Sequence, residues 1–443
     1  MAMRYSRWIL PMPLALPVLG ALLWLPAGCR EKSRPPLSVP QSGALAPVPG
    51  NTPLDGELAA LQATLRKETP PADAVETWTK LARAFVRKAR EASDPRYYQQ
   101  ADDAVEHALK IDPEHNGALQ VRQAVLLNAH RFVEAQRLAS QQIKRQPRDP
   151  VAWGALGDSA LELGDYETAM HAYQVMVDVK PDLRSYNRGA WMRWLTGDSD
   201  GAVELMQMSV SASGARESES RAYCRVQLGD IYFYRGQYAQ ARAQYDLALR
   251  DMPGYAPGHQ SRGRLLLFAD GAVSDALADL AAAMKLLPLT ATRALYISAL
   301  EASGQRDDAA KETAVLIQEG QREDPRSVAL FLAGHKQRLD LALTLAQDEV
   351  QRRPDIWSQD ALAWAAYRSG QLELAWEAVQ KATRLGTPDP RLRFHLGAIA
   401  LARGNRALGV QELRLALGQS PRWDLQEPTE ARELLKQAGE APP

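Results

Sequence analysis

A chain of 443 residues with 53 basic and 53 acidic side chains has no net charge to draw it to nucleic acid, because neutralising phosphates needs a local excess of Lys and Arg that this balance supplies only in patches. Two cysteines, Cys29 and Cys224, are too few for a disulfide framework or a cysteine-rich metal site. A 46% hydrophobic, alanine-rich composition suits a helical body, built either as several ordinary domains or as one extended array.

The amino terminus begins with a short basic region holding Arg4 and Arg7. An apolar run from Trp8 to Pro26 follows, then Ala27, Gly28 and Cys29. This is the pattern of an export signal. Pro11, Pro13, Pro17 and Pro26 make a stable membrane-spanning helix unattractive. The stretch "LPAGC" resembles the lipobox of bacterial lipoproteins, although Pro26 stands where that family prefers leucine. The resemblance implies cleavage after residue 28, with Cys29 as the lipidated residue carrying acyl chains such as palmitate. A cleaved secreted protein or a simple anchor is the alternative. Arg30 is not the aspartate associated with inner-membrane retention, so the resemblance leans toward an outer-membrane location. Residues 29–74 begin rich in Pro, Ser, Gly and Ala, which reads as a disordered stalk between anchor and body.

Beyond the stalk the chain repeats itself. Ala101, Ala135 and Ala169 are spaced by 34 residues, as are Pro113, Pro147 and Pro181. A first helix in each unit carries a close-packing pair such as Leu156 and Gly157 or Leu228 and Gly229. A glycine turn follows at Gly164 or Gly236, and a second helix starts near Tyr166 or Tyr238. That helix places Ala169 or Ala241 against the first and presents Tyr173 or Tyr245, and Pro181 or Pro253 closes the unit.

These marks resemble the tetratricopeptide repeat family, with its helix-turn-helix unit of about 34 residues. The resemblance implies an all-α, right-handed superhelical solenoid of about ten repeats over 75–435, with a flexible tail at 436–443. Three units depart from the pattern: the first carries the insertion "VRKAREASDPRYYQQ", the fourth has "SVSASGA" in place of its proline, and the eighth has "GHKQRLDLA" in place of its glycine turn. The weak fourth and eighth units are expected to divide the solenoid into subdomains that bend.

In the resembled family the first helices line a concave groove that holds partners. Carried onto this chain, the candidate groove residues are Asn187, Arg188, Trp191, Trp194, Tyr223, Asp230, Tyr234, Trp364, Tyr367 and Arg368. Aromatics there offer large contact area at modest entropic cost, although each could equally fill interhelical space. Asn187, Arg188 and Arg262 are candidates for the carboxylate clamp that some members use, but Gln227 and Asp230 interrupt the basic series.

Seven histidines are scattered without metal-ligand spacing, and the glycines fall at repeat turns instead of in a phosphate loop. The expectation is a nonenzymatic scaffold without cofactor or metal, tethered to a bacterial envelope membrane and binding envelope proteins or peptides. The alternatives are an enzymatic or small-ligand activity built on the solenoid, and self-association.

Overall fold

In the computed structural model, residues 43–67, 72–92, 94–214 and 217–442 are described. The expected signal at 1–28 and Cys29 with its lipid lie outside them. The described residues form helices and no strand. After α1 (Pro53–Leu65), consecutive helices pair as hairpins: α2 (Ala74–Glu91) with α3 (Arg96–Ile111), α4 (Asn116–Asn128) with α5 (Phe132–Arg145), α6 (Pro150–Glu162) with α7 (Tyr166–Val179), and α8 (Leu183–Leu195) with α9 (Ser199–Ser211). The series continues with α10 (Ser218–Tyr234) and α11 (Tyr238–Asp251), α12 (Ala256–Leu265) and α13 (Val273–Leu286), α14 (Thr290–Ala302) and α15 (Arg306–Glu323). It ends with α16 (Pro325–Gly334) and α17 (Leu339–Arg352), α18 (Ile356–Arg368) and α19 (Leu372–Ala382), α20 (Pro390–Ala402) and α21 (Arg406–Gln419), and a last helix α22 (Glu427–Gln437).

Local chemistry explains where these helices start and stop. First helices α6, α16 and α20 open on Asp followed by Pro: the Asp149, Asp324 and Asp389 carboxylates accept from free N–H groups of the first turn, and the proline needs no such partner. Gly164 ends one hairpin turn at φ +71°, a left-handed conformation that costs other residues a Cβ clash. The eighth unit makes its turn without glycine, placing Lys336 and Arg338 at positive φ instead. Within hairpins, a Cβ on Gly157 would lie 2.3 Å from Tyr173 Cε1, and one on Gly229 would lie 2.4 Å from Tyr245 Cε1, so the Leu-Gly pair admits the tyrosine of the second helix.

Two boundary expectations are corrected. The second half of the expected stalk is α1, opened by a capping box between Thr52 and Asp55 and packed through Leu54 and Leu58 with Leu81 and Phe85 of α2. Its amphipathic "LDGELAALQATL" follows directly on a Pro-rich segment, which hid it. Gln62 donates to the Ala44 and Ala46 carbonyls, and Lys88 pairs with Asp55 at 2.6 Å, so ordered structure begins well before residue 75. At the other end, Arg406 donates to the Ala438 carbonyl at 2.7 Å and Arg414 pairs with Glu440, which ties down part of the expected tail. The insertion in the first unit lengthens α2 to 18 residues.

First helices stack on first helices of the next unit, α2 on α4, α4 on α6, α14 on α16, α16 on α18 and α18 on α20, and so line one side of the coil. The coil then returns on itself. Tyr166 Oη accepts from the Ile356 backbone N–H at 2.8 Å across 190 positions, and Thr387 Oγ1 donates to the Leu195 carbonyl at 2.7 Å across 192. Further along, Gln419 Nε2 donates to the Tyr234 carbonyl at 2.9 Å across 185, and Arg422 donates to the Ala269 carbonyl at 2.6 Å. Arg353 also pairs with Glu162. One apolar cluster is built across this closure, combining Tyr166, Trp194 and Leu195 with Ile356, Ala382 and Leu392. The hairpin turns of α6–α13 therefore seat against the inter-unit loops of α17–α22, and the expected bending subdomains are cross-linked by buried contacts.

Candidate functional site: the enclosed concave groove

The groove wall is built from a repeated polar bracket. On α6, Asp158 accepts from Tyr173 Oη at 2.9 Å and takes a bidentate contact from Arg188 of the next first helix at 2.7 and 2.6 Å. On α10, Asp230 accepts from Tyr245 Oη at 2.8 Å and from Arg264 at 2.7 Å. Each bracket joins both helices of one unit to the first helix of the following one. Burial, reinforced by the adjacent aspartate, holds the Tyr173 and Tyr245 hydroxyls far above the ordinary phenol pKa, so they remain donors.

Toward the carboxyl end the inner faces of α10, α12, α14, α16, α18 and α20 surround a partly open cavity of about 300 Å³. A π-helical turn at Leu266–Asp270 follows α12 and brings Phe268 to its wall. The other side is closed by the segment 423–430 at the start of α22. Trp423 Nε1 donates to Glu427 at 2.6 Å, and Glu430 receives both Arg368 amino groups at 2.7 and 2.5 Å. His395 is completely buried, stacked 3.9 Å from the Trp364 ring. Its Nδ1 lies 2.7 Å from Asp360 and its Nε2 lies 3.4 Å from Glu427. With a carboxylate facing each ring nitrogen, the imidazolium is the form that satisfies both. Burial opposes that charge, but Asp360 and then Glu427 outweigh it and raise the His395 pKa to about 9.

Residues 150–182 match the sequence profile of the family described as tetratricopeptide repeat. The described residues form a solenoid like that of tetratricopeptide-repeat proteins. Tetratricopeptide repeat protein 36 of Mus musculus is 35% identical over 95 residues, covering 21% of this chain and 50% of that protein. Tetratricopeptide repeat protein 33 of Mus musculus is 29% identical over 84 residues, covering 19% of this chain and 32% of that protein. The chain thus spans half or less of the length of these curated relatives. Among solved structures, the human IFIT1 dimer with m7Gppp-AAAA superposes with a TM-score of 0.50 at 13% identity, over 82% of this chain and 85% of that one, a likeness of fold alone.

On this solenoid the expected groove residues separate into three groups. Asn187 and Trp194 are taken up by packing: Asn187 Nδ2 lies 3.3 Å from the Met206 sulfur, and the buried Trp194 ring stacks on Trp191 at 4.8 Å and on Trp357 across the closure at 5.9 Å. Arg188, Asp230, Arg368 and Tyr367 belong to the wall, with Tyr367 beneath the Arg368 guanidinium at 5.7 Å. Tyr234 and Trp364 line the cavity, and Tyr234 Oη accepts from Arg264 at 3.2 Å. Tyr223 keeps 42% of its surface accessible. The carboxylate clamp does not assemble. Arg188 is held by Asp158, while Arg262 turns to Asp246 and Asp279 on second helices, so the groups do not converge.

Sequence reasoning missed Arg264, Asp389, Arg391, His395, Asp424 and Glu427. Two signals were available. "LGD" recurs at 156–158 and 228–230, each with a tyrosine 15 positions after the aspartate. "DP" recurs at 149–150 and 389–390 as a helix start, which places Asp389 beside a groove helix. Nothing local marks Asp424 or Glu427, because their positions depend on how α22 docks. Cys224 is buried beside Ser209, and burial pushes its thiol up to about 11, the behaviour of a packed thiol.

Proposed function

We propose that this solenoid is a noncatalytic adaptor, tethered to a bacterial envelope membrane through Cys29, which holds a segment of another envelope protein in its enclosed groove. The observation that carries the reading is the cavity of about 300 Å³ on the inner faces of successive first helices, lined by aromatic and charged side chains. A concave site with a few convergent polar groups is the usual form of a binding site. The lipobox-like "LPAGC" supports the tether, and Tyr223 and Tyr234 remain candidate contact residues, Trp364 being 1% exposed between His395 and Arg368.

Placing a photo-crosslinking amino acid at Ser298 on the cavity wall, and separately at exposed Val133, tests this in cells. The expected result is one discrete envelope protein captured from position 298 and not from 133. Capture from position 133 alone would overturn the groove reading. For the tether, labelled palmitate is expected in the wild type and not in Cys29→Ser; equal labelling would remove it.

A further inference from the structure

Five carboxylates and three guanidinium groups line the cavity, and their pairing is unequal. Arg264 answers to Asp230 and Arg368 to Glu430. Glu427 faces His395, and Glu301 faces His335 at 3.3 Å. This leaves Arg391 with Asp389 and Asp424. Arg391 has its own carboxylate behind it, Asp360 Oδ2 at 3.8 Å. Asp389 is 1% exposed; its Oδ1 accepts the Arg391 and Leu392 backbone N–H groups, and its buried Oδ2 has no hydrogen-bond partner. Asp424 is half-buried, its Oδ1 accepting from the Gln426 and Glu427 backbone N–H groups at 2.8 and 3.1 Å, and among the described residues it forms no salt bridge. The Asp389 cap of α20 and Asp424, just ahead of α22, thus bring two carboxylates to one cavity where negative charge is in excess, and leaving the buried Asp389 oxygen unpaired is costly.

We propose that the cavity binds a cationic group, an ammonium or guanidinium, between Asp389 and Asp424. The inference rests on the groove reading above and names the chemistry of the segment it takes: one bearing lysine or arginine. Burial, and next the neighbouring Glu427, push the Asp424 carboxyl up to about 6, the behaviour of an acid in need of a positive partner. Aromatic walls at Tyr234, Phe268 and Phe331 suit the aliphatic stem of a basic side chain, which buries its methylenes while its head is paired. An anionic ligand would meet Arg391 and the unpartnered Nε–H groups of Arg264 and Arg368, but Arg264 and Arg368 are already committed to Asp230 and Glu430 and the excess of carboxylate opposes it.

The test is calorimetric titration of the full-length protein in detergent with hexalysine, hexaglutamate and spermidine at low salt. Hexalysine is expected to bind and hexaglutamate not to. Asp389→Asn and Asp424→Asn keep the oxygen that accepts the backbone N–H groups, and each should weaken hexalysine about tenfold with helicity unchanged. Wild-type affinity should also fall as the pH is lowered through about 6. Spermidine binding as tightly as hexalysine, with the same variant sensitivity, supports the site and assigns it to free amines instead of a peptide. Absence of hexalysine binding, or equal binding by both asparagine variants, overturns the cationic assignment. The groove reading falls separately, by the crosslinking result at position 298.

Discussion

The middle of the groove and its carboxyl end partner their aspartates differently. In the middle units, Asp158 and Asp230 are each neutralised by an arginine from the next unit and a tyrosine from their own. At the carboxyl end no tyrosine reaches Asp360; its partners are His395 and, at a longer distance, Arg391, while Asp389 keeps a buried acceptor free. The difference shows which part of the wall is structural. Where each charge is answered within the repeat the wall is closed to ligands, and where carboxylates outnumber cations it has chemistry left to offer.

The sharpest way to break the comparison is to remove the middle bracket. Asp230→Ala strands the Arg264 guanidinium, which is only 16% exposed, and leaves Tyr245 without its acceptor. The expected destabilisation is about 4 kcal/mol in urea unfolding. Asp158→Ala, whose arginine is 28% exposed and more readily hydrated, should lose about half as much. Equal losses would mean that the brackets do not differ in burial as the structure has them.

How much of this was legible in the sequence follows from the range of each interaction. The 34-residue spacing of Ala135 and Ala169 and the Leu-Gly pairs are local consequences of stacking one hairpin on the next, so they announce the solenoid. Trp194 carries no mark that separates a groove aromatic from one packed on Trp357, because that contact joins residues more than a hundred positions apart. The same holds for Glu430, placed against Arg368 by the last helix. Repetition reports nearest neighbours, whereas closure of the coil is decided a full turn away.

The next test sharpens the carboxyl end. The His395 pKa, raised to about 9 from an ordinary value of 6.5, means that the folded state keeps a proton that the unfolded chain releases sooner. The stabilisation is complete below about 6.5 and is lost as pH rises through about 9. Unfolding free energy should fall by up to about 3 kcal/mol between neutrality and pH 10. His395→Gln should remove that slope while leaving the Asp230 bracket intact. A slope unchanged in the variant would place the titrating group elsewhere.

Closure itself can be loosened at one atom. Tyr166 opens α7, and its hydroxyl also satisfies the buried Ile356 N–H of α18. Tyr166→Phe keeps the ring and strands that donor, at an expected cost of about 2 kcal/mol. Amide exchange at Ile356 should accelerate in step. Unaltered exchange would show that the hydroxyl does not hold the two turns together.

The smallest effect distinguishes the two brackets from each other. Asp158 keeps a bidentate arginine when Tyr173 loses its hydroxyl, so Tyr173→Phe should cost about 1 kcal/mol. Tyr245 Oη is engaged twice, donating to Asp230 at 2.8 Å and accepting from Arg264 at 3.3 Å, while Arg264 reaches Asp230 through one amino group alone. Tyr245→Phe should therefore cost roughly 1 kcal/mol more than its counterpart. Because both tyrosines occupy the same repeat position and pack against a glycine in the same way, the difference isolates the polar network from the ring. Matching losses in paired unfolding experiments would make the brackets equivalent and leave only the arginine geometry to tell one unit from the other.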